Sequence, residues 1–206
     1  MTRTDHHGLA LAGNTREDER SARRVDPVAL EQAARDLLAA LGADITSDGL
    51  RYTPRRVADA YTELLTCEPF TATTFPNHGG YDELVVVRAI PFHSLCMRHL
   101  LPFHGVAHVG YLPGERIIGL SKLGRVVEHF SRDLQIQERL TTQVADWLER
   151  ELRPKGVGVV LEAEHLCMSL RGVQKHGATT VTSALRGLVR SDAPTRQELL
   201  SLTAMR

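Results

Sequence analysis

Cysteine is scarce in this chain: three among 206 residues. An odd and sparse set cannot form the disulfide framework of a small secreted scaffold. Net charge is missing too, since 25 basic residues balance 25 acidic ones. Composition therefore gives no reason to expect a nucleic-acid or membrane partner. No run approaches the roughly 18 apolar residues needed to span a bilayer. The opening MTRTDHHGLALAGN lacks the basic-then-apolar order of a secretory signal. The expected compartment is the reducing cytoplasm, where thiols are free to bind metal or fill a core. Internal repeats and low-complexity tracts are also lacking. What is present is ordinary for a soluble globular protein: 42% hydrophobic and 24% charged residues. The length suits one domain with a real core, with or without an N-terminal extension.

Residues 1–24 are polar with little apolar periodicity, and a disordered tail is expected there. His6-His7 within it read as a solvated pair or a metal-binding pair. Asp26-Pro27 is an N-cap signal followed by apolar residues at helical spacing as far as Leu41, and Gly42 ends the run. Thr53-Pro54 opens a second helix through Leu65. Its first turn holds Arg55 and Arg56, where cations oppose the helix dipole. They read as solvated charges or as partners of an anion. Residues 68–82 are loop-like. Strands are expected at 84–90, 105–111, 157–163 and 179–185, with a short strand or helix approach at 116–120. Ser121 reads as the cap of a helix to Phe130, and a further helix runs from Ile136 to Leu152. A short terminal helix is expected from Thr195. The order predicts an α+β fold with an antiparallel sheet. The domain reading is a tail at 1–24 and one domain at 25–206. Within it, a helical part spans 25–70 and a sheet-bearing part spans 83–190.

The chemistry concentrates in Pro91–His108, PFHSLCMRHLLPFHGVAH. Cys96 and His99 stand there at C-x-x-H spacing, with His93, His104 and His108 around them. Glu164-His165-Leu166-Cys167 supplies another thiol and imidazole downstream. Zinc favours tetrahedral N/S ligation, and catalytic sites keep three protein ligands. The strand at 157–163 is expected to continue through His165 and Cys167 to Leu170. Two apart in a strand, those side chains would share one face. Such a set suits metal-assisted hydrolysis, with the free imidazole moving protons. Spacing alone leaves the matter open. C-x-x-H is also the pattern of a core cysteine beside a surface histidine, and Cys96 and Cys167 lie far apart in the chain. Cys67, without a nearby ligand, reads as a structural thiol.

Longer motifs decide the reading. The C-x-x-H and its following strand come first. Then come Ile118-Gly119-Leu120-Ser121-Lys122-Leu123-Gly124-Arg125, Gln135-Ile136-Gln137-Glu138-Arg139-Leu140-Thr141, and Glu164-His165-Leu166-Cys167-Met168 with Arg171-Gly172-Val173. With Thr53-Pro54-Arg55-Arg56-Val57-Ala58 they resemble, in order, GTP cyclohydrolase I. The resemblance covers all but about the first 25 residues. It implies the tunnelling fold, an antiparallel sheet with two helices on one face plus N-terminal helices. It implies a homodecamer of two pentamers with active sites between subunits. The implied substrate is GTP and the implied cofactor is Zn2+. The implied reaction opens the guanine imidazole ring after water adds at C8, releases formate, and yields 7,8-dihydroneopterin triphosphate. Carried over by position, Cys96, His99 and Cys167 match the metal ligands and His165 the acid/base. Glu138, with Gln137, matches the guanine-recognising segment. Lys122, Arg125, Arg171 and Arg56, with Ser121 adjacent, match the positions that hold the triphosphate.

One departure stands out. The family usually has Cys-Glu-His-His where this chain has Cys96-Met97-Arg98-His99. Arg98 takes the place of a residue of the catalytic pocket. A guanidinium cannot act as a base near neutral pH, but it can stabilise an anion. Three readings follow: an active GTP cyclohydrolase I, a related zinc enzyme with an altered product or purine substrate, and a non-catalytic nucleotide-binding paralogue.

Overall fold

The computed structural model describes residues 25–204, and the expected tail with His6-His7 lies outside them. The chain divides into two compact units between Thr62 and Glu63. The first holds helix α1 (Pro27–Ala40) and most of helix α2 (Thr53–Leu65). The Asp26 carboxylate accepts from the Val28 and Ala29 N–H groups at 3.0 and 3.1 Å, which satisfies donors the helix leaves unpaired.

The second unit is built on a five-stranded sheet. Strands β1 (Thr74–Pro76), β2 (Val85–Cys96), β3 (Pro102–Leu112) and β4 (Arg116–Ile118) lead to helix α3 (Leu120–Ser131). Strand β5 (Leu134–Gln135) and helix α4 (Gln137–Leu152) follow, then β6 (Gly156–His165), helix α5 (Leu166–Ser169) and β7 (Thr179–Arg186). Helices α6 (Gly187–Ser191) and α7 (Ala193–Ala204) close the described chain. The sheet order is β5-β2-β3-β6-β7, while β1 and β4 pair separately. All neighbours in the large sheet are antiparallel except β5 and β2, which run parallel over two residues.

Helices α3 and α4 cover one face. Leu123, Val126, Leu140 and Val144 recur at helical spacing and are fully buried with Val109 and Val159 of the strands. Each such side chain contributes about 1.5–3 kcal/mol of transfer free energy. Side chains alternate across a strand, so Gly110 and Gly158, paired across β3 and β6, face the other way. A Cβ at either glycine would come within 2.5 Å of Leu199. The paired glycines thus form the hollow into which α7 sets its one buried side chain.

Three local expectations need correction. Ser121 does not cap α3. The cap position is Gly119, and Ser121 lies exposed in the first turn. The loop at 68–82 contains β1, because Arg116 of β4 donates to the Thr74 hydroxyl at 2.6 and 2.9 Å and holds it. Strand β6 ends at His165, and Cys167 lies on the helical turn α5. The Leu170 N–H donates to the Leu166 carbonyl at 3.0 Å and closes that turn.

Candidate metal centre

Cys96 ends β2, and the backbone there folds into a tight turn. The Cys96 carbonyl accepts from the His99 and Leu100 N–H groups at 3.2 and 2.8 Å. Leu100 takes a positive φ of 54° to complete the reversal. The turn is pinned from the side by β5, since the Gln135 carbonyl accepts from the Met97 N–H at 3.0 Å. Gln135 is itself fully buried, with its amide donating to the Phe130 carbonyl and to Gln143, both at 2.8 Å. Arg139 of α4 donates to the Gln135 side-chain oxygen and the Leu134 carbonyl. A two-residue strand is therefore fixed on both sides, and with it the position of Cys96.

The turn places His99 Nδ1 3.5 Å from Cys96 Sγ. The turn α5 brings in Cys167 from the end of β6. One ligand atom from each of Cys96, His99 and Cys167 lies within 4.8 Å of the others. Two sulfurs and one imidazole nitrogen at this separation fit a small, borderline-soft cation and leave a fourth tetrahedral position open. Burial, and then the nearby Cys96 sulfur, push the Cys167 thiol up, while Arg171 pulls it down. A bound dication deprotonates a coordinating thiol outright and reverses that balance. The three residues fit a metal site.

His165 stands beside the site at the end of β6. Its ring lies parallel to Phe103, its cross-strand partner on β3, with centroids 4.5 Å apart and planes 4° apart. Its Nε2 is 2.8 Å from Gln137 Oε1. Burial pushes the imidazole down from its ordinary range, and the Glu138 carboxylate opposes that shift. His165 is therefore neutral near neutral pH and able to accept a proton.

The structure brings Cys96, His99, Cys167, His165 and Gln137 together. Glu138, exposed in the first turn of α4, and Arg171, exposed after α5, act on them electrostatically. Ser121, Lys122 and Arg125 line the start of α3, with Lys122 half-buried and the other two exposed. Arg98 is exposed in the ligand turn. Arg56 is exposed on α2 in the first unit. Gln137 is 1% exposed, its amide nitrogen donates to the Leu161 and Thr180 carbonyls, and its Oε1 faces His165. His93, His104 and His108 sit on β2 and β3 and do not join the metal site. Sequence reasoning missed Phe103 and Gln135. A strand phenylalanine and a two-residue strand leave no periodic signal.

A sequence profile of GTP cyclohydrolase I matches residues 30–204. The GTP cyclohydrolase 1 of Aquifex aeolicus is 51% identical over 178 residues, covering 86% of this chain and 97% of that protein. The Mycobacteroides abscessus protein of the same name is 53% identical over 184 residues, covering 86% and 89%. That of Mycolicibacterium vanbaalenii is 47% identical over 207 residues and covers 98% of each chain. Matches of this extent cover both the helical segment and the whole sheet with its metal site. The chain belongs to the GTP cyclohydrolase I family.

Proposed function

We infer that this protein converts GTP to 7,8-dihydroneopterin triphosphate and formate, with zinc held by Cys96, His99 and Cys167. The observation that carries this reading is the meeting of those three ligands with an oriented His165. When bound, zinc supplies the Lewis acidity that makes water nucleophilic near neutral pH. His165 exchanges protons with the purine as its five-membered ring opens. The Glu138 carboxylate accepts from the guanine N1–H and 2-amino groups. Lys122, Arg125, Arg171 and Arg56 neutralise the triphosphate, and the first turn of α3, with Ser121, adds N–H donors. Arg98, in the ligand turn, cannot take a proton, and it fills a secondary role beside the substrate that histidine would also fill.

The outer edge of β7 carries no further strand among the described residues. An open edge of this kind supports assembly through sheet joining, and the decamer of two pentamers is what the family resemblance implies. The expected location is the cytoplasm. No helix among the described residues is long and apolar enough to cross a membrane.

Met97 and Arg98 favour one second reading, a zinc enzyme that stops at the ring-opened formamide. Product analysis separates the two. Incubation of the zinc-loaded protein with GTP should give a compound that turns into fluorescent neopterin after oxidation and dephosphorylation. A formamidopyrimidine without formate release would establish the second reading. Tight GTP binding without turnover would replace both with a non-catalytic role.

A further inference from the structure

We propose that Gln137 is a positioning residue that fixes the orientation and tautomer of His165, with the hydrogen of the ring on Nε2, facing Gln137. This rests on the role given to His165 above. The amide nitrogen of Gln137 meets three acceptors: the Thr180 carbonyl at 2.8 Å, the Thr182 hydroxyl at 3.1 Å and the Leu161 carbonyl at 3.2 Å. Two of these are backbone carbonyls, which only accept. The NH2 end must therefore face them. Flipping the amide would set its oxygen against two carbonyl oxygens, which cannot donate to it.

The hydroxyls agree with this orientation. Thr141 donates to the Gln137 carbonyl at 2.7 Å, so its oxygen accepts from Thr182 at 2.6 Å. Thr182 then keeps a lone pair for the Gln137 amide. Gln137 Oε1 is left pointing at His165 Nε2, 2.8 Å away. An amide oxygen only accepts, so Nε2 holds a hydrogen whether the ring is neutral or cationic. Phe103, fully buried, fixes the plane of the ring by stacking, and Gln137 fixes its rotation within that plane.

The test is nitrogen NMR of the zinc-loaded full chain carrying 15N-labelled histidine, with the His165 signals assigned by their loss in His165→Gln. The expected spectrum has a protonated Nε2 and a bare Nδ1. An Nδ1–H tautomer in the unmodified protein would overturn the proposal. Gln137→Met keeps the length and removes the polar atoms. It should give mixed tautomers, with kcat down about 10–100-fold, the usual range for a partner one shell out, and KM for GTP within about twofold. A raised KM with unchanged kcat would also overturn the proposal, because Gln137 would then contact the guanine. The tautomer is read without turnover. An Nε2–H ring in a protein that leaves GTP intact would refute the proposed function and leave the positioning role standing.

Discussion

Replacing Gly105 with alanine should destabilise the sheet at the strand pair that carries the site. Gly105 on β3 pairs with Ala163 on β6, two residues from the Phe103–His165 pair. A Cβ there would lie 1.9 Å from the Glu162 carbonyl oxygen, 2.6 Å from Ala163 Cα and 2.8 Å from the Glu162 carbonyl carbon. All three are backbone atoms, so no side chain can turn away, and the strands must separate by more than 1 Å. Overpacking of a well-filled interior costs about 1–3 kcal/mol, and a rigid neighbour places this case near the upper end. For a chain of this length each kcal/mol is worth about 2–4 °C. The expected fall in Tm is therefore about 6–12 °C. Gly124→Ala is the matched comparison. It lies inside α3 with nothing within 4 Å of the added carbon. Relief of glycine's entropy cost should stabilise by about 0.5–1 kcal/mol. Calorimetric melts of the three proteins at equal concentration provide the assay. A Gly105→Ala melt within about 2 °C of the unmodified protein would refute the reasoning.

Other perturbations address the ligands, the departure from the family pattern, and pH. Cys167→Ser should abolish stoichiometric zinc binding in a metal assay, and full retention would refute the ligand assignment. Arg98→His restores the residue usual in the family. It should preserve or raise kcat, whereas a large loss would show that the guanidinium has a task of its own. His93 and His108 are both held below the ordinary imidazole range, chiefly by burial. For His93, Arg132 and His104 add to that shift while Glu128 and Glu63 oppose it. For His108, Arg88 adds to it and Glu162 opposes it. As pH falls through about 6.5 the unfolded chain takes up these protons first, so stability is full above that value and declines below it. Tm should be lower at about pH 5 than at about pH 7.5. The double change His93→Gln with His108→Gln should narrow the gap, and an unchanged gap would contradict the burial argument.

Much of the fold was legible because its signals are local. Asp26-Pro27 caps α1 by side-chain oxygen, and the apolar spacing of Leu123, Val126, Leu140 and Val144 marks the helices that cover the sheet. Where the chain leaves a regular element without a proline or glycine, the reading failed. Leu166-Cys167-Met168-Ser169 carries no breaker, so β6 was extended through what is a helical turn. Strand β5 is too short for any period and is defined by Gln135 and Arg139, whose partners come from other elements. The ligand residues were visible as types, but their meeting depends on the turns at 97–100 and 166–169. The role of Gln137 was hidden for the same reason. Only the carbonyls of β6 and β7 reveal which way its amide points.

The most direct test of the central claim is a zinc titration of the metal-free full-length protein in the presence of GTP. Formate release and dihydroneopterin triphosphate formation should rise together with bound zinc and level off at one ion per chain. Formate released at the full rate without metal, or no product at full zinc occupancy, would contradict the account.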